Sequence, residues 1–318
     1  MSDLTRSDVA RSDLATTLRP NGHDALFVAY KPTGITSRAF LDGLKRRFAK
    51  KKLKAGFFGT LDPFACGSLI VAFGAYTKLF GLKQKVKKRY FATLWLGVQS
   101  RTLDITDISK IEQILPVDLE DIKREFSALN GARIQYIPPI FSAKKINGKR
   151  AYQIAREGKD VDLTPSFMNI FDLKFISYRH PFLSFEITLN GGAYVRSFGD
   201  ILAKRFLTTG ALSFLERIED SGFSGILGRE ILLDPIDFLG FEVLYLKDLY
   251  ANKNGAILRG EELKVALLNG AKMHLLADLA LSGIFVLNLG DCFSVVKLAP
   301  NLETLESNFI FLLNGLPC

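Results

Sequence analysis

Cysteine and histidine are scarce in this 318-residue chain, and their scarcity removes several chemistries at once. The three cysteines, Cys66, Cys292 and Cys318, match neither a disulfide framework nor a Cys-x-x-Cys metal pair, which fits a reducing, cytoplasmic setting. The three histidines, His23, His180 and His274, are scattered, so no metal site is expected. No apolar run reaches the eighteen or so residues that span a bilayer; the longest candidate, Leu279 to Leu289, is bounded by Asp278 and Asp291. The first 24 residues lack the apolar core of a signal peptide. They repeat Arg-Ser-Asp at 6–8 and 11–13, carry Asp3, Asp8 and Asp13, and read as a disordered tail. Neither Gly-x-Gly-x-x-Gly nor Gly-x-x-x-x-Gly-Lys-Ser/Thr occurs, so no nucleotide cofactor is expected.

Positive charge is what the chain has in excess. The net charge is +9, and it is uneven: residues 1–240 hold 36 Lys and Arg against 25 Asp and Glu, whereas residues 241–318 hold six against eight. Two cationic runs stand out, Lys45, Arg46, Arg47, Lys50, Lys51, Lys52 and Lys54, then Lys83, Lys85, Lys87, Lys88 and Arg89. Between them, Gly59-Thr60-Leu61-Asp62-Pro63 sets a single carboxylate on a tight turn. Such a frame suits a polyanion, and a lone acid within it would meet sugar or base, because phosphates would repel it. Taken alone, Asp62 before Pro63 also suits a plain turn, and lysine runs also suit solvated faces.

Along the chain, Leu26 to Tyr30 reads as a strand stopped by Lys31-Pro32-Thr33-Gly34. Ser37 reads as the cap of a helix with Phe40, Leu41, Leu44 and Phe48 on one face. Ser68 to Phe73 reads as a strand, and so does Lys88 to Val98, which alternates with Tyr90, Ala92, Leu94 and Leu96 on one side. Asp118 to Leu129 is expected to be helical and to stop at Asn130-Gly131, whereas 138–148 is too rich in Pro, Gly and Lys to be regular. Phe182 to Leu189 alternates, Gly191-Gly192 breaks it, and an amphipathic helix follows with Tyr194 and Arg196 at its start. Asp234-Pro235 and Gly240 mark an expected boundary, giving a tail at 1–24, a main domain at 25–240 and a β-rich piece at 241–318. Strands mixed irregularly with helices point to the α+β class.

Several ordered motifs between 26 and about 238 resemble the TruB family of pseudouridine synthases. They are Lys31-Pro32-x-Gly34 with Ser37, Lys54-Ala55-Gly56-Phe57-Phe58-Gly59-Thr60-Leu61-Asp62-Pro63-Phe64-Ala65-Cys66-Gly67, and Lys88-Arg89-Tyr90 with Leu96-Gly97. Next come Pro138-Pro139-x-x-Ser142-Ala143-x-Lys145 continuing to Gly158, Gly192-x-Tyr194-x-Arg196-Ser197, and Phe214-Leu215-x-Arg217. The resemblance implies a mixed, largely antiparallel central sheet with flanking helices, and a small PUA-like C-terminal domain. It implies conversion of uridine to pseudouridine at position 55 in the T arm of tRNA, by a monomer needing no cofactor, protein partner or membrane. Asp62 falls on the catalytic aspartate and Arg196 on its partner; Tyr90 stacks on the base, Tyr194 and Leu215 line the pocket, and Lys31 supports it. Phe57 stands where the family has His, keeping a ring for wedging but no nitrogen to titrate. Arg46, Lys51, Lys54, Lys88 and Lys145 are the expected phosphate contacts. Two other readings remain at this point: a non-catalytic RNA-binding or remodelling protein on the same scaffold, and a synthase for another RNA. The Arg-Leu-Asp signature of the ribosomal-RNA type is missing at Asp62.

Overall fold

The computed structural model describes residues 24–312, apart from 49–52, 84–85, 143, 147, 158–162, 246–250, 254–255, 269–272, 276–282, 290–291 and 300–301. The expected tail therefore lies outside the described residues except for Asp24, and Lys51 lies outside them too.

β1 (Ala25–Lys31) is an apolar run buried along nearly its whole length. Thr36, not Ser37, caps the next helix, α1 (Ser37–Phe48): its Oγ1 accepts from the Ala39 N–H at 3.0 Å. Leu41 and Leu44 of α1 are buried, and Lys45, Arg46 and Arg47 fill its last turn, where cations suit the carbonyl end of a helix. β2 (Ala55–Phe58), β3 (Cys66–Phe73) and β4 (Lys87–Leu96) follow. β3 is buried at every residue, whereas β4 buries Lys88, Tyr90, Ala92, Leu94 and Leu96 and leaves the alternate side chains more open.

A hairpin of β5 (Val98–Ser100) and β6 (Ile108–Ile111) precedes α2 (Leu119–Leu129), which Asp118 caps through its bond from the Glu120 N–H at 2.7 Å. Then come β7 (Arg133–Tyr136), the small hairpin β8 (Lys145–Ile146) and β9 (Lys149–Arg150), and the short helix α3 (Ala151–Arg156). β10 (Ser166–Arg179) and β11 (Phe182–Asn190) lead to α4 (Val195–Arg205), followed by β12 (Gly210–Asp220) and β13 (Glu230–Leu232). Asp234 and Pro235 start α5 (Pro235–Leu239), which ends at Gly240 in the left-handed region.

Nine strands form one sheet in the order β13-β1-β3-β12-β4-β11-β10-β7, with β2 branching from β3. Its pairings are antiparallel except β3 with β12, so the fold is α+β with a mixed, largely antiparallel sheet. That parallel pair matters for the site. It sets Arg217 beside Gly67 at the start of β3, while the antiparallel register with β4 sets Arg217 opposite Tyr90 and Leu215 opposite Ala92. Phe198 and Leu202 of α4, with Ile122 and Phe126 of α2, pack on one half of the sheet. α1 packs on Phe27, Leu69, Val71 and Phe73 in the other half. A second sheet, of seven strands drawn from Glu242 to Leu312, presents Val286, Phe293 and Val295 to Leu26, Val28, Ile70 and Phe238. Burial of this kind, at about 25 cal/mol per Å² of apolar surface, is the main favourable term holding such layers together.

Candidate active site

Asp62 lies in the loop from β2 to β3, and the turn after β1 holds that loop in place. The buried Ser37 hydroxyl accepts from the Leu61 N–H and donates to the Leu61 carbonyl, both at 2.9 Å. The Gly34 N–H donates to the Pro63 carbonyl at 2.8 Å, and Thr33 Oγ1 donates to the Phe64 carbonyl at 2.6 Å. Lys31, fully buried, donates to the carbonyls of Pro32 and Ile35 at 2.8 Å each, so it pins the turn that in turn pins Asp62. Burial lowers the Lys31 pKa to about 8, although Cys66 and Asp62 pull it upward. Four backbone groups before and after Asp62 thus have fixed partners, which is how an irregular loop keeps one carboxylate still.

Arg196, on the first turn of α4, is 3% exposed and faces that carboxylate. Its Nε lies 2.8 Å from Asp62 Oδ2 as an ion pair, off the line of a hydrogen bond, and an Nη donates to Oδ1 at 3.2 Å. The rest of the guanidinium is fully engaged: it donates to the carbonyls of Thr102 at 2.7 Å and Phe141 at 3.0 Å, and pairs with Asp104 at 3.4 Å. Asp104 is buried, and it also accepts from Thr102 Oγ1 at 2.7 Å and from the Thr106 N–H at 2.9 Å. Arg196 is therefore oriented by a second carboxylate that the sequence reading did not single out. Burial pushes the Asp62 carboxyl above its ordinary value; Arg196 and Lys31 pull it down, and Asp104 adds to the upward push.

Asp62 opens onto a cavity of about 180 Å³ whose walls include Tyr90, Tyr194, Val195, Leu215, Lys88, Arg217 and the Gly59–Leu61 backbone. That is room for one flat ring, with one carboxylate and two cations among the walls. Tyr90 and Leu215 are buried on neighbouring strands, and Tyr194 stands at the start of α4. Burial raises the Tyr90 phenol pKa, with Arg217 opposing, so the ring enters the cavity neutral. Gly59 has φ +71°, a conformation that favours glycine, and a β-carbon there would displace the Lys88 ammonium.

Lys88 departs from its expected place. It is not an exposed phosphate contact: its side chain is 8% exposed and its Nζ bonds Asp220 Oδ2 at 2.9 Å. The alternation of β4 explains this, because Lys88 shares the inward side with Tyr90. Its neighbours in the second cationic run are also engaged: Lys83 donates to the Phe238 and Leu239 carbonyls, and Lys87 lies 4.2 Å from the Phe171 ring centroid. Phe57 is not among the cavity's lining residues; it packs with Leu41, Leu44 and Val71 under α1. Arg46 and Lys54 are exposed, and Lys145 lies in β8.

A family model described as TruB family pseudouridylate synthase, N-terminal domain, matches residues 45–195. A tRNA pseudouridine synthase B of Nitratiruptor is 42% identical over 92% of this chain and 98% of its own length. The chain belongs to the TruB family. A second relative of the same name, from Campylobacter jejuni, is 46% identical over 75% of this chain and 86% of that protein. Among solved structures, the crystal structure of a Cbf5-Nop10-Gar1 complex aligns over 91% of this chain and 85% of that one, with TM-score 0.63 and 15% identity, a likeness of fold. This TruB-family chain is thus an enzyme of the pseudouridine synthase class, and the Asp62 loop falls inside the matched segment. No helix among the described residues is long and apolar enough to cross a membrane.

Proposed function

We propose that this protein isomerises uridine to pseudouridine at position 55 in the T arm of tRNA, with Asp62 as the catalytic carboxylate. The observation that carries this reading is the Asp62–Arg196 pair at a ring-sized cavity walled by Tyr90, Tyr194 and Leu215. The relatives named tRNA pseudouridine synthase B support tRNA as the substrate. The target uridine leaves its stack, at a cost of roughly a few kcal/mol, and its base enters the cavity against Tyr90. Asp62 acts on the ribose while Arg196 keeps it ionised and aimed. The bond from C1′ to N1 breaks with its electron pair left on the base. The base turns, C5 bonds to C1′, the C5 proton is lost and N1 gains one. Atoms and charge balance without a redox partner, so no cofactor is needed.

The exposed cations Arg46 and Lys54 hold backbone phosphates of the arm, with Lys51 and Lys145 in the same role. Residues 25–240 act as the catalytic part and 241–318 as a PUA-like part, in a protein that works as a cytoplasmic monomer; the separate seven-stranded sheet supports that division. Asp62→Asn keeps the shape of the site and removes its charge. Pseudouridine formation in an unmodified tRNA transcript is expected to fall by roughly 10⁴- to 10⁶-fold, with tRNA affinity nearly unchanged. Turnover within tenfold of the unaltered protein would overturn the reading.

A further inference from the structure

The cavity holds a charged cluster that the reaction described so far does not use. Lys88 and Arg217 both line it, and both meet Asp220: Lys88 Nζ at 2.9 Å and an Arg217 Nη at 3.4 Å from the same Oδ2. All three side chains are at least 92% buried, and two cations share one acid, so the cluster carries a net positive charge under the pocket. The same Arg217 nitrogen donates to the Gly59 carbonyl at 3.1 Å and its Nε to Ser68 at 2.7 Å, which locks Arg217 to the catalytic loop. Gly59, whose missing β-carbon makes room for Lys88 Nζ, and the Phe58 ring, 5.2 Å away, add no charge beside it. Uncompensated charge in a buried pocket is costly unless a ligand or transition state brings the opposite sign.

We propose that Lys88, positioned by Asp220 and Arg217, is the catalytic cation that stabilises the negative charge on the uracil ring once its bond to the ribose breaks. The inference rests on the reading of this cavity as a uridine site. When the pair of electrons of the C1′–N1 bond stays with the base, uracil carries one negative charge, delocalised onto its two carbonyl oxygens. That charge persists while the ring turns and ends when C5 bonds to C1′. A cation on the cavity wall opposes it throughout this interval, whereas the ground-state base is neutral, so the interaction favours the transition state over the bound substrate.

Lys88→Met is expected to lower kcat by roughly 10²- to 10³-fold with tRNA affinity and melting temperature near those of the unaltered protein. Lys88→Arg is expected to keep most of kcat. Placing 5-fluorouridine at the target makes the departing base a more stable anion, so the loss caused by Lys88→Met in cleavage of the C1′–N1 bond shrinks at least tenfold. A Lys88→Met kcat within threefold of normal, or an equal loss on both bases, overturns the proposal. Should Lys88→Met melt early, the pH profile of Lys88→Arg decides. Burial and Arg217 draw the Lys88 pKa down to about 8 against the pull of Asp220, so kcat of the unaltered protein falls more steeply at high pH than that of the arginine variant, in which Lys31 still titrates in that range but Lys88 no longer does. Superimposed profiles overturn the proposal. An unaltered protein inactive on T-arm RNA would instead sink the uridine-site reading itself.

Discussion

At the scale of single residues, Arg196 has two tasks that one substitution can separate. Its charge lowers the pKa of a carboxyl that burial has raised, and its fork fixes that carboxyl to the Thr102 and Phe141 carbonyls. An active carboxylate must be ionised, so activity is lost as pH falls through the Asp62 pKa. Removing a neighbouring cation moves that pKa further up. Arg196→Gln is therefore expected to shift the acid limb of kcat to higher pH and to lower its plateau by roughly 10²-fold or more. Arg196→Lys keeps a charge but not the planar fork, so its acid limb returns toward normal while its plateau stays low. An acid limb that does not move in Arg196→Gln would mean that the limb reports another group.

At the scale of elements, the catalytic loop is held by its neighbours more than by its own sequence. Ser37 Oγ satisfies both backbone groups of Leu61, the residue before Asp62. Ser37→Ala leaves a buried N–H and a buried C=O unpaired, for an expected loss of roughly 1–3 kcal/mol of stability. Because the freed loop carries Asp62, kcat is expected to fall by up to ~100-fold with tRNA affinity unchanged. A melting curve and single-turnover kinetics check the two effects; unchanged kcat would detach the turn from the chemistry. Ser37 also marks what a sequence can tell. Its place at a helix start was legible, but its partner is 24 residues away and no local rule reaches it.

β1 and β3 were readable as short apolar runs, buried almost throughout, and α1, β4, α2, β11 and α4 by their periodic burial. β10 and β12 were not, since β-bulges between Ile170 and Asp172, Phe175 and Ser177, Leu212 and Phe214, and Arg217 and Glu219 flip the inward side midway. Those flips also hid Asp220, which β12 carries next to Lys88. Asp104 stayed hidden for another reason: it orients Arg196 across 92 residues of chain, a pairing no local pattern shows. Lys88, expected among the phosphate contacts, lies instead on the inward side, because alternate members of a cationic run in a strand point to opposite sides.

At the scale of the molecule, charge and architecture divide in the same place. The nine-stranded sheet beside the Asp62 loop belongs to the part with 36 Lys and Arg against 25 Asp and Glu, and the second sheet to the part with six against eight. Part of that cationic excess is nevertheless internal: Lys31, Lys88, Arg196 and Arg217 are buried, and Lys83 bonds the carbonyl end of α5. Fewer side chains than the net charge implies are then free to displace counterions from RNA, and Arg46 and Lys54, exposed at the end of α1 and before β2, are among them. Binding is expected to weaken with salt, and Arg46→Gln and Lys54→Gln are each expected to reduce the slope of log affinity against log salt by about 1. Under saturating tRNA, kcat stays the same in both, because neither residue lines the Asp62 cavity. Lys88→Met provides the internal control: a buried cation that meets the base and not a phosphate leaves the salt slope unchanged. Titrations at several salt concentrations separate the two kinds of cation, and a slope that drops in Lys88→Met but not in Arg46→Gln or Lys54→Gln would reverse their assignment.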